Sequence, residues 1–270
     1  LGDIGSLTNG KTPSRLFFVD NGLYVASPDT NAIIKMTLDG KASPVHQTTS
    51  GIGFITSGSI QFSDKTILFN TTPIGLALFD TKDNTLSAQS ITFAAPKPQI
   101  TDMAVFGNRL YIFDTTQKNI FSYNKTLKGF IGGTAWITDA NSQRADIKSI
   151  AIDGNIYALA SGGTITKLFR GTPTDFTQAP VSPSLDSATR IYTSDTMQNL
   201  YMLDPANKRV VILTKKGALV RQLYIDTAKS LTDISISSDE THLYALDGTS
   251  ILDVSLADGS TASPSPSPKP

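Results

Sequence analysis

The sequence predicts an all-β chain folded as a six-bladed β-propeller with four antiparallel strands per blade. Three observations carry that prediction. One strand–turn–strand pattern recurs six times at a spacing of roughly 44 residues, short strand-like runs flank every recurrence, and Glu240 is the single glutamate among 23 acidic residues. Asp suits turns and strand ends whereas Glu suits helix surfaces, so that bias points away from helices.

The pattern is a small or polar turn, then x-Leu/Ile-Tyr-apolar-apolar, then a polar residue. It reads NGLYVAS around Tyr24, KTILFN around Ile67, NRLYIFD around Tyr111, GNIYALA around Tyr157, QNLYMLD around Tyr201 and THLYALD around Tyr244. Successive anchors lie 43, 44, 46, 44 and 43 residues apart. Upstream of each sits an inner run, such as LFFV from Leu16, DMAVF from Asp102 or DISIS from Asp233. Downstream sits a third run, such as AIIKM from Ala32 or RVVIL from Arg209, and a more variable fourth closes most units. β-Branched and aromatic residues in alternation, joined by turn dipeptides such as Asn21-Gly22 and Asp153-Gly154, are strand signals. Four strands in about 40–45 residues is the propeller unit. A helical solenoid would need apolar residues at helical spacing, and a sandwich would lack the longer period.

The last unit stops after its third strand, near Leu256, which would leave a sheet edge unpaired. The N-terminal segment, about residues 1–8, is therefore expected to add the missing outer strand and complete a propeller over residues 1–259. Residues 260–270, Ser260 followed by TASPSPSPKP, alternate Ser with Pro. Such a segment cannot join a ladder and reads as a linker or disordered tail.

Composition limits the chemistry. Cysteine is absent, which removes disulfides, thiolate metal sites and a cysteine nucleophile. Lys plus Arg balance Asp plus Glu at 23 each, and the basic residues are scattered, so no nucleic-acid partner is expected. No run approaches the ~18 apolar residues of a membrane span, so no direct insertion is expected from this segment. The two histidines, His46 and His242, occupy different places in their units, no Gly-x-Ser-x-Gly occurs, and Ser57 and Ser59 lie among loop glycines. The reading is non-enzymatic.

Carboxylates give the most suggestive positions. Asp102, Asp146 and Asp233 precede the inner strands of units three, four and six, 9, 11 and 11 residues upstream of their anchors. Three carboxylates round a channel mouth would suit Ca²⁺, which takes several oxygen ligands. The competing reading is that each Asp accepts backbone N–H groups from the next blade. A second polar ring, Ser27, Asn70, Asp114, Asp204 and Asp247, follows the anchors by three residues and is expected to bond nearby turn backbone. For a partner surface, the loops between units (46–57, 94–100, 137–144 and 178–188) point to Trp136, Arg144, Lys97 and Gln143, since exposed aromatic and Arg residues are enriched at hot spots. Trp136 buried between blades is the alternative.

The blade pattern, a short inner strand, a Gly/Asn turn and Leu-Tyr-apolar-apolar-Asp, resembles six-bladed propellers of the NHL, TolB-like and YVTN types over about Leu16 to Leu256. That resemblance implies an extracytoplasmic sensor or interaction module tethered through a larger bacterial membrane protein. The resulting expectation is a monomeric binding or sensor domain on the cell surface or in the periplasm, recognising a protein, peptide or glycan and needing no cofactor beyond a channel-mouth Ca²⁺. The rival is a secreted metal-dependent propeller enzyme of the lyase or lactonase kind.

Overall fold

The computed structural model of the chain describes residues 1–47, 54–55 and 60–257. The Ser/Pro tail at 260–270, and Ser57 and Ser59 with their neighbouring glycines, lie outside the described residues.

Alternating apolar residues and tight turns fold the chain into antiparallel hairpins. The first joins Arg15–Val19 to Gly22–Ser27 through Asp20 and Asn21, both at φ near +50° (50° and 54°). Two central residues with positive φ make a turn whose twist matches that of its strands, and Asp and Asn tolerate it best among residues with a side chain. With Ala32–Met36 and Ala42–Gln47 these strands make a four-stranded sheet. Three further sheets have the same size. One comprises Ile147–Ile152, Ile156–Ala160, Ile165–Phe169 and Thr172–Pro173, another Arg190–Tyr192, Asn199–Asp204, Arg209–Thr214 and Leu219–Tyr224. The last runs Leu231–Ile236, His242–Asp247, Ser250–Ser255, with Gly2–Asp3 on its outer edge.

The remaining nine strands, from Phe54–Ile55 to Gly129–Ala135, form one continuous sheet. The arrangement is all-β and propeller-like, but the expectation of six separate four-stranded blades is overturned: among the described residues four sheets have four strands and one has nine. Repeat units two and three are fused where Ser90 and Ile91 pair in parallel with Gly129 and Phe130. A Cβ on Gly129, whose φ is +153°, would fall 2.0 Å from the Ser90 carbonyl oxygen, so glycine permits this close approach of two outer strands. The inner part of unit two is also interrupted: Phe54–Ile55 and Ile60–Ser63 both pair with Thr66–Thr72. A repeat length read from sequence carries no information about edge-to-edge pairing of this kind.

Inner strands Arg15–Val19, Ile60–Ser63, Ile100–Phe106, Ile147–Ile152, Arg190–Tyr192 and Leu231–Ile236 adjoin in a closed circuit around a central channel. The core lies between sheets. Leu16, Leu23 and Val25 of the first sheet pack with Tyr244, Leu246 and Ile251 of the last, and Phe17 and Tyr24 pack with Phe69 and Phe79 of the nine-stranded sheet. Each fully buried side chain of this size stabilises the fold by roughly 1.5–3 kcal/mol relative to exposure. The packing explains the anchor Tyr. Tyr201 buries its ring between sheets and donates its hydroxyl to Glu240 Oε1 at 2.7 Å, in the next unit's hairpin. Burial, with that carboxylate beside it, holds the Tyr201 phenol far above its ordinary pKa.

The polar ring after the anchors ties turns down. Asp114 Oδ1 accepts from the backbone N–H groups of Gln99 (3.1 Å) and Thr116 (2.9 Å), and Asp247 Oδ1 accepts from Lys229 (2.8 Å). Asp204 instead pairs with the fully buried Arg209, Nε to Oδ2 2.7 Å, and Arg209 also donates to the Ser184 carbonyl at 3.1 Å, fixing the long 178–188 loop.

Candidate functional site

Four buried charged side chains of the inner strands meet one another. Arg15 Nη2 lies 2.8 Å from Asp102 Oδ1, and Arg190 Nη1 lies 3.2 Å from the same oxygen. Arg190 Nε lies 2.8 Å from Asp233 Oδ1, an ion contact too bent to be a hydrogen bond, and Arg15 Nη1 is 3.7 Å from that oxygen. Asp102 and Asp233 are fully buried and the arginines nearly so.

These residues meet because they share one register slot. Arg15, Asp102, Ser149, Arg190 and Asp233 stand opposite Ala26, Phe113, Leu159, Leu203 and Leu246, each two residues past its anchor Tyr. Both carboxylates also reach the next unit's backbone. Asp102 Oδ2 accepts from Ile150 N–H at 3.0 Å and Ser149 Oγ–H at 2.7 Å, and Asp233 Oδ2 accepts from Leu16 N–H at 2.9 Å. Ser235 Oγ accepts from Phe18 N–H at 2.9 Å.

Burial pushes both carboxyls above the ordinary Asp range, Asp233 to about 6, while Arg15 and the backbone N–H groups pull the other way. Asp146, which sequence position groups with them, is elsewhere. It forms a half-exposed pair with Arg144 (Nη2 to Oδ2 2.6 Å), which lowers its pKa. The three aspartates are therefore not brought together: Asp146 lies apart, and the oxygens of Asp102 and Asp233 face guanidinium and backbone N–H groups. Among the described residues no three His, Asp or Glu side chains come together as metal ligands. His46 packs edge-on to Phe79, and His242 Nδ1 contacts Asp253 Oδ1 at 2.8 Å. Neither enters the channel cluster.

On one side of the cluster opens a cavity of about 500 Å³. Its floor includes Arg190, its walls Phe18, Phe62, Phe106 and Tyr192, and its rim Asp20, Asn21, Gln61, Asp64 and Asp195. The walls are braced: Phe18 stacks on Tyr244 at 5.1 Å between ring centroids, and Phe62 meets Phe130 edge-on at 5.6 Å. The rim is built from the hairpins that end the inner strands. Trp136, Arg144, Lys97 and Gln143 sit at the other end of those strands, on the connections between units. There Trp136 is half-buried, packed at right angles to Tyr111 (6.0 Å), while Lys97 and Gln143 are exposed. The structure thus separates the predicted partner residues from the cavity.

No family model and no curated protein matches the chain. The sheet arrangement supports a propeller-like all-β fold but not the expected six-bladed propeller of the NHL, TolB-like or YVTN type. Solved structures do share the fold. PorZ of Porphyromonas gingivalis, described as an essential bacterial surface component of the type-IX secretion system, superposes with a TM-score of 0.60 at 13% identity. That match covers 93% of this chain but only 38% of PorZ. XC5397 of Xanthomonas campestris, described as a gluconolactonase, gives 0.63 at 11% identity, covering 91% of this chain and 86% of that one. A streptogramin B lyase gives 0.55 at 12% identity, covering 90% and 93%. At these identities the likeness concerns the fold alone.

Proposed function

We propose that this protein is a non-catalytic binding module whose ligand occupies the channel mouth. The observation that supports the reading is the cavity itself. Its volume, about 500 Å³, falls within the range of small-ligand sites, and it combines apolar walls with a few convergent polar groups. The charged groups beneath it are engaged with one another, which suits a rigid floor better than acid–base chemistry. A protein, peptide or glycan partner would then present one protruding group to this mouth. Placement outside the cytoplasm is part of the proposal, supported by one fold neighbour being described as a bacterial surface component. The rival, a metal-dependent lyase or lactonase, draws on two neighbours described by those activities but needs a third channel carboxylate.

Titrating ¹⁵N-labelled protein with a fragment library tests the reading. Shifts centred on Phe18, Phe62, Phe106 and Tyr192 are the expected result. Shifts confined to Trp136, Arg144 and their loops, or hydrolytic turnover of a bound fragment, would overturn it.

A further inference from the structure

We infer that the channel mouth selects a neutral saccharide, with Arg190 as the donor that anchors its innermost ring; this rests on the binding reading above. Arg190 is 8% exposed and lines the cavity. Its Nη1 is held by Asp102 and its Nε lies against Asp233, while Nη2 makes no hydrogen bond among the described residues. A guanidinium more than nine-tenths buried thus lines the cavity with one N–H pair that has no hydrogen bond among the described residues. It needs an acceptor, since Arg has no lone pair to offer.

The rim makes the opposite demand. Asp20, Asp64 and Asp195 line the mouth and form no ion pair among the described residues. Ionised carboxylates accept hydrogen bonds and donate none. A ligand must hence donate at the rim and accept at the floor.

Charge excludes the simple alternatives. The floor cluster sums to zero, two Arg against two Asp, so nothing offsets the repulsion of an anion by three rim carboxylates. A cation favoured at the rim would meet Arg190 at the bottom. An uncharged ligand rich in hydroxyls meets both demands, because each hydroxyl donates and accepts. A peptide backbone supplies only one donor per residue. The aromatic lining completes the match: Phe18, Phe62 and Tyr192 supply apolar surface suited to the C–H face of a pyranose ring.

The test measures binding by calorimetry for a panel of neutral trisaccharides built on glucose, galactose and N-acetylglucosamine. Trigalacturonate and trilysine serve as charged comparators. At least one neutral trisaccharide is expected to bind about tenfold or more tightly than either comparator, and to lose about tenfold with Phe62→Ala. Arg190→Lys, which keeps the charge but removes the planar fork, is expected to lose a similar factor with an unchanged circular dichroism spectrum. If that variant does not fold, Gln61→Ala on the rim reads the same contact surface. A comparator that binds best and still depends on Phe62 overturns the saccharide assignment and leaves the channel-mouth reading standing. Neutral binding indifferent to Phe62→Ala and to whichever of Arg190→Lys and Gln61→Ala is measured overturns both. Absence of binding by every neutral trisaccharide overturns the assignment.

Discussion

Arg15 is the residue on which two buried carboxylates depend: it lies 2.8 Å from Asp102 and 3.7 Å from Asp233. Replacing it with Met keeps much of the volume and removes the cation, leaving two buried carboxylates to share Arg190. Breaking a buried ion cluster by removing one partner costs about 3–5 kcal/mol, whereas an exposed pair is worth about 0–1 kcal/mol. Urea denaturation should therefore show a large fall in midpoint for Arg15→Met and almost none for Asp146→Asn; equal effects would sink this account of the cluster. The contrast also shows what could be read from sequence. Position before the inner strand groups Asp146 with Asp102 and Asp233, whereas in unit four the slot in register with those two belongs to Ser149, three residues later. A search for carboxylates alone also passes over Arg15 and Arg190. They stand 9 and 11 residues before their anchors, the same offsets as Asp102 and Asp233. Comparing whatever occupies one offset, regardless of charge, is the signal that would have found them.

At the scale of elements, Gly2–Asp3 joins the two ends of the chain. Gly2 and Asp3 pair with Ile251 and Ser250, and Asp3 Oδ2 accepts from Thr249 Oγ–H at 2.8 Å and Ser250 Oγ–H at 3.0 Å. Just beyond, Ile4 is fully buried among Leu16, Met36, Leu246 and Ile251, residues of both the first and the last sheet. Ile4→Ala is expected to cost about 2–5 kcal/mol, because the cavity sits at a seam shared by two sheets. Deleting residues 1–8 should do more: it bares the edge of Ser250–Ser255, and exposed edges recruit other chains. Light scattering on warming reports that outcome. A truncated protein that stays monomeric with an unchanged melting temperature would show that the seam holds without this strand. The anchors and their flanking runs were legible because side-chain alternation follows directly from burial on a pleated sheet. The fusion of units two and three was not, since it depends on two outer strands meeting at Gly129, a contact between segments nearly forty residues apart in the chain.

For the whole molecule, the buried and exposed carboxylates set opposite dependences on pH. Asp233 in the folded protein holds its proton up to about 6, against about 4 in an unfolded chain. Between those values the folded state binds more protons, so stability falls as pH rises across that window. Asp102, raised by the same burial, acts in the same direction. Asp239 works the other way: hydrogen bonds from Ser237 and Thr241 lower it to about 2, so its contribution is present above the unfolded value and lost as pH falls toward 2. Asp146 and Asp3, also lowered, add to that acid-side loss. The raised pair thus favours mildly acidic pH over neutral, and the lowered groups oppose that trend only below the ordinary Asp pKa. The melting temperature at about pH 4.5 is expected to exceed that at pH 7 by about 3–8 °C, taking about 2–4 °C per kcal/mol for a chain of this size. Asp233→Asn should flatten the decline between about pH 4 and pH 6, because the amide has no proton to release there. A melting temperature that climbs from pH 4.5 to pH 7 in the unsubstituted protein would mean that the arginines outweigh burial, leaving both channel carboxylates below rather than above the ordinary range.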